Sequence, residues 1–139
     1  MKAINITLMF DGKTEAAFDF YKSVFGTDYS NVQRMKDMPN APAMSAEEGE
    51  KILHAALPIG SAVLMGMDMP AGRGVVNAGN NFMITLDTSS EEETIKLFNG
   101  LSEGGSVMMP VAHQFWGAFF GMFTDKFGIQ WMLSYVEQK

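Results

Sequence analysis

Apolar and polar residues alternate along several short segments of the chain, and this period of two predicts β-strands. The first predicted strand runs from Ala3 to Phe10. Residues 51–57 and 61–67 flank Pro58-Ile59-Gly60 and predict a hairpin. Further strands are predicted at 29–36, 81–87, 106–109, 115–123 and 129–135. Antiparallel strands therefore dominate the predicted fold.

Two segments instead carry apolar residues at the spacing of one helix face. The first runs from Thr14, a candidate cap, to Phe25, and Gly26 follows it as a terminating glycine. The second follows three cap candidates at 88–90 and ends before Gly104-Gly105. The apolar stripes are Ala17, Phe18, Tyr21 and Phe25 in the first helix, and Ile95, Phe98 and Leu101 in the second.

The order of elements repeats along the chain. Each half reads strand, helix and then three strands, which predicts an α+β domain built from two packed modules. The modules cover about residues 1–68 and 80–136, and the linker 69–79 is rich in glycine and proline. A chain of 139 residues is long enough for one domain with a core, and short for two. We therefore predict a single domain over 1–139.

Composition narrows the class of protein. With 47% hydrophobic and 19% charged residues, the chain is typical of a globular protein. The net charge of −6 and the lack of a Lys/Arg cluster argue against nucleic acid as a partner. Cysteine is absent, which excludes disulfides and thiolate catalysis. No apolar run is long enough to span a bilayer and no signal peptide is evident, so we expect a cytoplasmic protein without a membrane partner.

Four predicted strands have one apolar face and one mixed face. The apolar faces, which include Ile4 and Phe82, are expected to pack beneath the helices. The mixed faces carry neutral amides, hydroxyls, methionines and His54 where a solvated face would carry Lys and Glu. Such residues suit a partly dry cavity with a few polar anchors. An interior face whose polar groups satisfy one another fits the same pattern.

The stretch FWGAFFGMFTDKFGIQW, from Phe115 to Trp131, holds both tryptophans. Gly117 and Gly121 interrupt its aromatic residues, and glycine in a strand is typical of a place that a neighbouring element approaches closely. The stretch therefore predicts either a core hairpin or the wall of a cavity. Asp68 and Asp125 are both predicted at turns.

Several segments resemble the PhnB-like branch of the vicinal oxygen chelate superfamily, which includes glyoxalases, bleomycin-resistance proteins and extradiol dioxygenases. They are FDGKTEAAFDFYKSVFG, ILHAALPIG, AVLMGMD, GGSVMMP and FWGAFFGMFTDKFGIQWML. The resemblance covers nearly the whole chain. It implies paired βαβββ modules whose mixed and antiparallel sheets curl around a cavity, the glyoxalase/bleomycin-resistance fold. It also implies a homodimer.

The resemblance places the ligands of metal-dependent members at Asn5, His54, Asn81 and Met132. This set has one imidazole, no carboxylate and a thioether where a glutamate would be wanted, so it suits a divalent metal poorly. The other histidine, His113, lies near Pro110. We therefore expect a degenerate metal site, with no metal and no cofactor. Relatives with a demethylubiquinone methyltransferase label do not change this expectation, because the chain lacks a nucleotide-binding glycine fingerprint.

The predicted function is the binding of a small, partly aromatic ligand. The alternative is a divalent-metal-dependent lyase, isomerase or dioxygenase that uses His54, with His113 as a further candidate, and catalysis is left open. A structural role for His54 is also compatible with the sequence. The predicted ligand cavity is lined by Asn5, Thr7, His54, Asn81, Met83, Phe115, Trp116, Phe120 and Met132.

Overall fold

The computed structural model describes residues 1–137. The chain forms two compact units, Met1–Asn77 and Ala78–Lys139. The boundary between them falls inside the predicted linker 69–79. That the two units form one domain stays a prediction.

Unit 1, Met1–Asn77, contains one mixed sheet. Its elements are β1 (Ile6–Phe10), α1 (Thr14–Phe25), β2 (Asn31–Arg34), a 3-10 turn (Met35–Asp37), α2 (Ala46–Glu50), β3 (Ile52–Ile59) and β4 (Ala62–Asp68). The strand order is β1-β4-β3-β2. The first strand pairs with β4 in parallel, and the other pairs are antiparallel.

Unit 2, Ala78–Lys139, repeats this topology within its described residues. Its elements are β5 (Ile84–Asp87), α3 (Glu91–Ser102), β6 (Ser106–His113), β7 (Ala118–Thr124) and β8 (Gln130–Val136). The strand order is β5-β8-β7-β6, again with the first strand parallel to the last. The α+β class and the βαβββ modules are therefore confirmed.

The core of unit 1 lies between α1 and its sheet. Phe18 and Tyr21 of α1 are fully buried, as is Leu57 of β3. Gly66 of β4 lies directly beneath Phe18, because a Cβ atom on this glycine would overlap the Phe18 ring. The missing side chain thus lets the helix approach the sheet closely.

The core of unit 2 lies between α3 and its sheet. Phe98 stacks edge-to-face on Phe123 at 5.1 Å between ring centroids. Trp131 is fully buried, as the strand pattern predicts. The helix stripe differs from the prediction at one position: Phe98 and Leu101 are buried as predicted, but Thr94 is buried and Ile95 is 43% exposed. Thr94 tolerates burial because its hydroxyl donates to the Ser90 carbonyl oxygen at 2.7 Å.

Asp68 corrects the prediction of a turn residue. It is the last residue of β4, and its side chain is buried. Oδ1 accepts from the amide N–H and the hydroxyl of Thr14 at 3.1 and 2.7 Å, and Oδ2 accepts from the Ile52 amide at 2.8 Å. This carboxylate joins the end of β4 to the starts of α1 and β3. Thr14 is consequently the first residue of the helix, with Lys13 as the N-cap residue.

Asp125 is a turn former, as predicted. Its Oδ1 accepts from the amides of Phe127 and Ile129 at 2.8 and 3.0 Å, which closes the connection between β7 and β8. Its Oδ2 also accepts from Nε1 of Trp131 at 2.8 Å. The buried indole therefore has its polar atom satisfied.

Several strand boundaries differ from the prediction. The strands β1 and β5 are shorter at their starts, and Ile4 and Phe82 are exposed rather than packed beneath the helices. Strand β6 is longer and continues past Pro110, which an edge strand tolerates. Residues 115–117 form a turn, in which Gly117 has a φ of 97°. Gly121 lies beneath Phe98 of α3, so the element that approaches it belongs to the same unit.

Candidate functional site

Unit 1 presents one sheet face away from α1, here called the far face of unit 1. Gly66 points toward Phe18 of α1, so its neighbour Met65 points to the opposite side. Thr7 of β1 and Ala56 of β3 are the register partners of Met65, and Asn31 of β2 is the partner of Ala56. His54 lies two residues before Ala56 on the same strand and therefore shares this face. The far face thus combines polar groups with a methionine.

His54 is held in place by Asn31. The amide nitrogen Nδ2 of Asn31 lies 2.9 Å from Nδ1 of His54, and both side chains are partly buried. With this amide orientation Nδ1 accepts, so the ring carries its proton on Nε2. Nε2 is then left to donate to another group. Sequence reasoning missed Asn31, because the register between β2 and β3 cannot be read from the spacing of residues.

Unit 2 likewise has a far face, the sheet face opposite to α3. Gly121 and Phe123 face Phe98, so Phe120 and Met122 point to the other side. Met132 of β8 is the register partner of Met122 and lies on the same face. These three side chains are apolar and polarizable, and the hydroxyls of their register partners Ser134 and Thr85 lie on the same face.

The turn before β7 extends the aromatic part of this surface. The Trp116 ring contacts Phe120 at 5.5 Å between centroids, and the Phe115 ring contacts Trp116 at 5.0 Å. Both contacts are edge-to-face, a favourable arrangement for aromatic rings. Phe115 is 97% exposed and Trp116 is 53% exposed. These two side chains are therefore surface groups of unit 2 rather than parts of its core.

The predicted cavity residues fall into two groups. Thr7 and His54 share the far face of unit 1, and Asn5 precedes β1 and is exposed. Phe120 and Met132 share the far face of unit 2, with Trp116 against Phe120 and Phe115 against Trp116. Asn81 and Met83 precede β5. The structure brings residues together within each unit, and the convergence of both groups on one cavity stays a prediction.

The far faces carry more methionines than the predicted ligand cavity contains. Met9 and Met67 are register partners on β1 and β4, on the same face as Met65. Met122 and Met132 form the corresponding pair in unit 2. The high methionine count, 13 in the chain, is the sequence signal that points to them. Their flexible thioethers can adapt to ligands of different shapes.

The residues present do not fit a divalent metal of the kind that the superfamily uses. Among residues 1–137, no group of three or more His, Asp or Glu side chains is arranged to hold a metal ion. His54 has an amide as its neighbour rather than a carboxylate. His113 lies in the other unit, where its Nε2 is 2.7 Å from Oε1 of Glu91. A hard or borderline cation prefers carboxylate and imidazole ligands over amides and thioethers.

The class of protein follows from the two βαβββ units. In each unit a helix covers one face of the sheet, and the far face carries both polar and apolar side chains. The chain belongs to the Glyoxalase/Bleomycin resistance protein/Dioxygenase superfamily, whose sequence profile it matches over residues 3–133. It is 30% identical to Protein YjdN of Escherichia coli, in an alignment that covers 95% of this chain and 94% of that protein.

Comparison with solved structures indicates the same fold. Protein PA1353 from Pseudomonas aeruginosa is 36% identical, with a TM-score of 0.86 over 99% of this chain and 100% of that one. A PhnB protein from Bacillus cereus, described as a putative 3-demethylubiquinone-9 3-methyltransferase, is 26% identical, with a TM-score of 0.72 over 97% of this chain and 100% of that one. The resemblance to PhnB-like proteins is therefore confirmed. In the described part of the chain, none of the helices has the length and hydrophobicity needed to cross a bilayer.

Proposed function

We propose that this protein binds a small, partly aromatic molecule on the far faces of its sheets, without a metal ion. The observation that carries the proposal is the His54–Asn31 pair. A histidine held at 2.9 Å by an amide, on a face lined by methionines, is a polar anchor within a largely apolar surface. Such a combination is typical of small-molecule sites.

The chemistry of the far faces indicates what the ligand carries. With Nδ1 engaged by Asn31, Nε2 of His54 donates to a carbonyl or hydroxyl oxygen of the ligand. The methionines adapt to its apolar surface, and Phe120 and Trp116 offer aromatic faces and edges for a ring. We therefore expect a ligand with at least one aromatic ring and one hydrogen-bond acceptor.

The alternative is a divalent-metal-dependent lyase, isomerase or dioxygenase of the same superfamily. A partly buried imidazole at His54 is the observation that favours it. The side chain bonded to His54 is the Asn31 amide, and within residues 1–137 no group of three His, Asp or Glu side chains could complete a metal site. The binding proposal is therefore the better supported of the two.

A thermal-shift screen separates the two functions. Neutral one- and two-ring aromatic fragments with hydroxyl or carbonyl groups are tested against untagged protein in EDTA. Under the binding proposal, fragments raise the melting temperature in EDTA, because a ligand that binds only the folded state stabilises it. The effect is lost in His54→Ala and retained in His113→Ala, the matched control. Stabilisation that requires added Ni²⁺, Zn²⁺ or Fe²⁺ would instead support the enzyme.

We also propose that the protein is a cytoplasmic homodimer. Large exposed apolar side chains support a self-association surface, and Phe115 at 97% and Phe82 at 53% exposure are examples. Sedimentation equilibrium should give twice the chain mass, and Phe115→Glu should shift the species toward the monomer. A monomeric wild-type protein at micromolar concentration would contradict the dimer while leaving ligand binding testable.

A further inference from the structure

Unit 2 contains a cavity of about 320 Å³ on the α3 side of its sheet, away from the far face. It is lined by Ser90, Glu91, Glu92, His113, Gly117, Phe119, Tyr135 and Glu137. Its volume lies at the lower end of the range for small-molecule sites, which is about 300–1,000 Å³. None of these residues belongs to the predicted ligand cavity.

Three side chains in a row form the floor of this cavity. His113 is the register partner of Phe119, and Phe119 is the partner of Tyr135, so the three share one face across β6, β7 and β8. The rings of His113 and Phe119 are in contact at 4.8 Å between centroids. Further along the same face, Phe123 and Leu133 are fully buried, whereas Phe119 and Tyr135 remain partly exposed. The row is thus an aromatic surface that α3 does not cover.

One wall of the cavity is fixed by a contact between an imidazole and a carboxylate. Oε1 of Glu91, in the first turn of α3, lies 2.7 Å from Nε2 of His113, at the end of β6. The pair ties the helix to the edge strand and orients the imidazole above Phe119. Because Glu91 contacts His113, the carboxylates of Glu92 and Glu137 are the ones that can bind a ligand.

We propose that this cavity binds a small organic cation, an amine that carries an aromatic or aliphatic group. The lining contains three carboxylates and one imidazole, and neither lysine nor arginine is among its residues. The phenol of Tyr135 makes no hydrogen bond within residues 1–137, so it can accept one from an ammonium group. Phe119 and Tyr135 offer ring faces, which attract cations. The geometry therefore combines charge and aromatic surface for one kind of ligand.

The charge of the whole unit supports a cation rather than an anion. Residues 78–139 contain three lysines, no arginine and seven Asp or Glu residues. The backbone amides at the start of α3 carry a partial positive charge, but the amide of Glu93 is already bonded to the Ser90 hydroxyl at 3.0 Å. An anionic ligand would therefore meet like charge with little compensation.

Binding of 2-phenylethylamine to ¹⁵N-labelled full-length protein tests the proposal by NMR titration. The amine should shift the amides of His113, Phe119 and Tyr135, while 2-phenylethanol and phenylacetate should bind more weakly. Glu92→Gln/Glu137→Gln should weaken the amine about three- to tenfold, as expected for two exposed ion pairs. Phe119→Leu should weaken it further. Glu103→Gln, which removes a carboxylate beyond the other end of α3, is the matched control and should leave affinity unchanged.

Equal binding of the amine and the alcohol would overturn the proposal, as would shifts confined to other parts of the chain. An unchanged affinity in the double glutamate variant, with its fold intact by circular dichroism, would overturn it as well. These outcomes are independent of ligand binding on the far faces, because the cavity and the far face lie on opposite sides of the sheet in unit 2.

Discussion

The two units have the same topology but use their buried carboxylates differently. In unit 1, Asp68 joins segments that are 54 and 16 residues away in the sequence, at Thr14 and Ile52. In unit 2, Asp125 bonds to residues two to six positions further on, within one hairpin. Within a repeated architecture, the buried carboxylate thus makes long-range bonds in one unit and local bonds in the other.

The units are alike where their helices meet their sheets. Each has a glycine beneath a helix phenylalanine, Gly66 beneath Phe18 and Gly121 beneath Phe98. They differ on their far faces, where unit 1 has the His54–Asn31 pair and unit 2 has Phe120 and its aromatic neighbours. The shared feature supports the fold of each unit, and the far faces differ in the chemistry they offer.

Adding a methyl group at these glycines should have the largest effect on stability. Gly66→Ala places a Cβ against the Phe18 ring, and Gly121→Ala places one 2.7 Å from Cε2 of Phe98. Overpacking of this kind costs about 1–3 kcal/mol, occasionally more, in the free energy of unfolding. Urea denaturation of both variants measures the cost.

Gly79→Ala is the control for that experiment, because its nearest contact would be an ordinary 3.5 Å from Asn81. Phe18→Leu in the Gly66→Ala background should recover part of the loss and show coupling in a double-mutant cycle. A Gly66→Ala protein as stable as the wild type would contradict the close packing of α1 on its sheet.

Neutralising the buried carboxylates should have the next largest effect. Asp68→Asn and Asp125→Asn each turn an amide N–H₂ group toward a donor, and each should lose about 1–2 kcal/mol of unfolding free energy. Hydrogen exchange distinguishes them: Asp68→Asn should loosen the amides of Thr14 and Ile52, whereas Asp125→Asn should loosen its own hairpin. Asp87→Asn, at an exposed position, is the control. Uniform loosening of both units by either variant would contradict the difference between long-range and local contacts.

The smallest effect is expected from the ion pairs of Lys and Arg with carboxylates, five of which lie in unit 1 among the described residues. The hydrogen bond from Arg34 lowers the pKa of Glu15 below its usual 4.5. Because the folded-state pKa is the lower one, this pair stabilises the fold above pH 4.5 and the contribution is lost as the pH falls below it.

Glu15→Gln should therefore cost less than about 1 kcal/mol at pH 7, since Glu15 is largely exposed. The difference from wild type should shrink as the pH falls, and urea denaturation at several pH values measures it. A difference that grows toward low pH would contradict the sign of the pKa change.

The sequence predicted the elements well where a single local signal dominates. Helix α1 ends at Phe25 as predicted, because its apolar stripe and terminal Gly26 agree, whereas its start is one residue early, since Thr14 is its first residue rather than its cap. Features that depend on strand register were missed, since register joins residues far apart in the sequence. The His54–Asn31 contact, the burial of Asp68 and the His113–Glu91 pair are examples.

The predicted start of β7 was wrong for a related reason. Alternation placed Phe115 and Trp116 in the strand, but these residues lie in a turn that ends at Gly117. Gly117 adopts a positive φ, and its amide donates to the Gln114 carbonyl oxygen at 3.0 Å. Hydrophobic alternation alone does not distinguish a strand from an exposed aromatic turn. The Trp116 ring of this turn nevertheless contacts Phe120.

Ligand binding on the far faces without a metal can be tested by NMR of ¹³C-methyl-methionine protein. An aromatic fragment that stabilises the protein in EDTA is titrated into the metal-free sample. We expect shifts of the methyl groups of Met65, Met67, Met122 and Met132, with little change at the buried Met35. In His54→Ala these shifts should need higher fragment concentrations. Far-face methyls that stay unchanged in EDTA and respond only after a divalent metal is added would rule out metal-free binding.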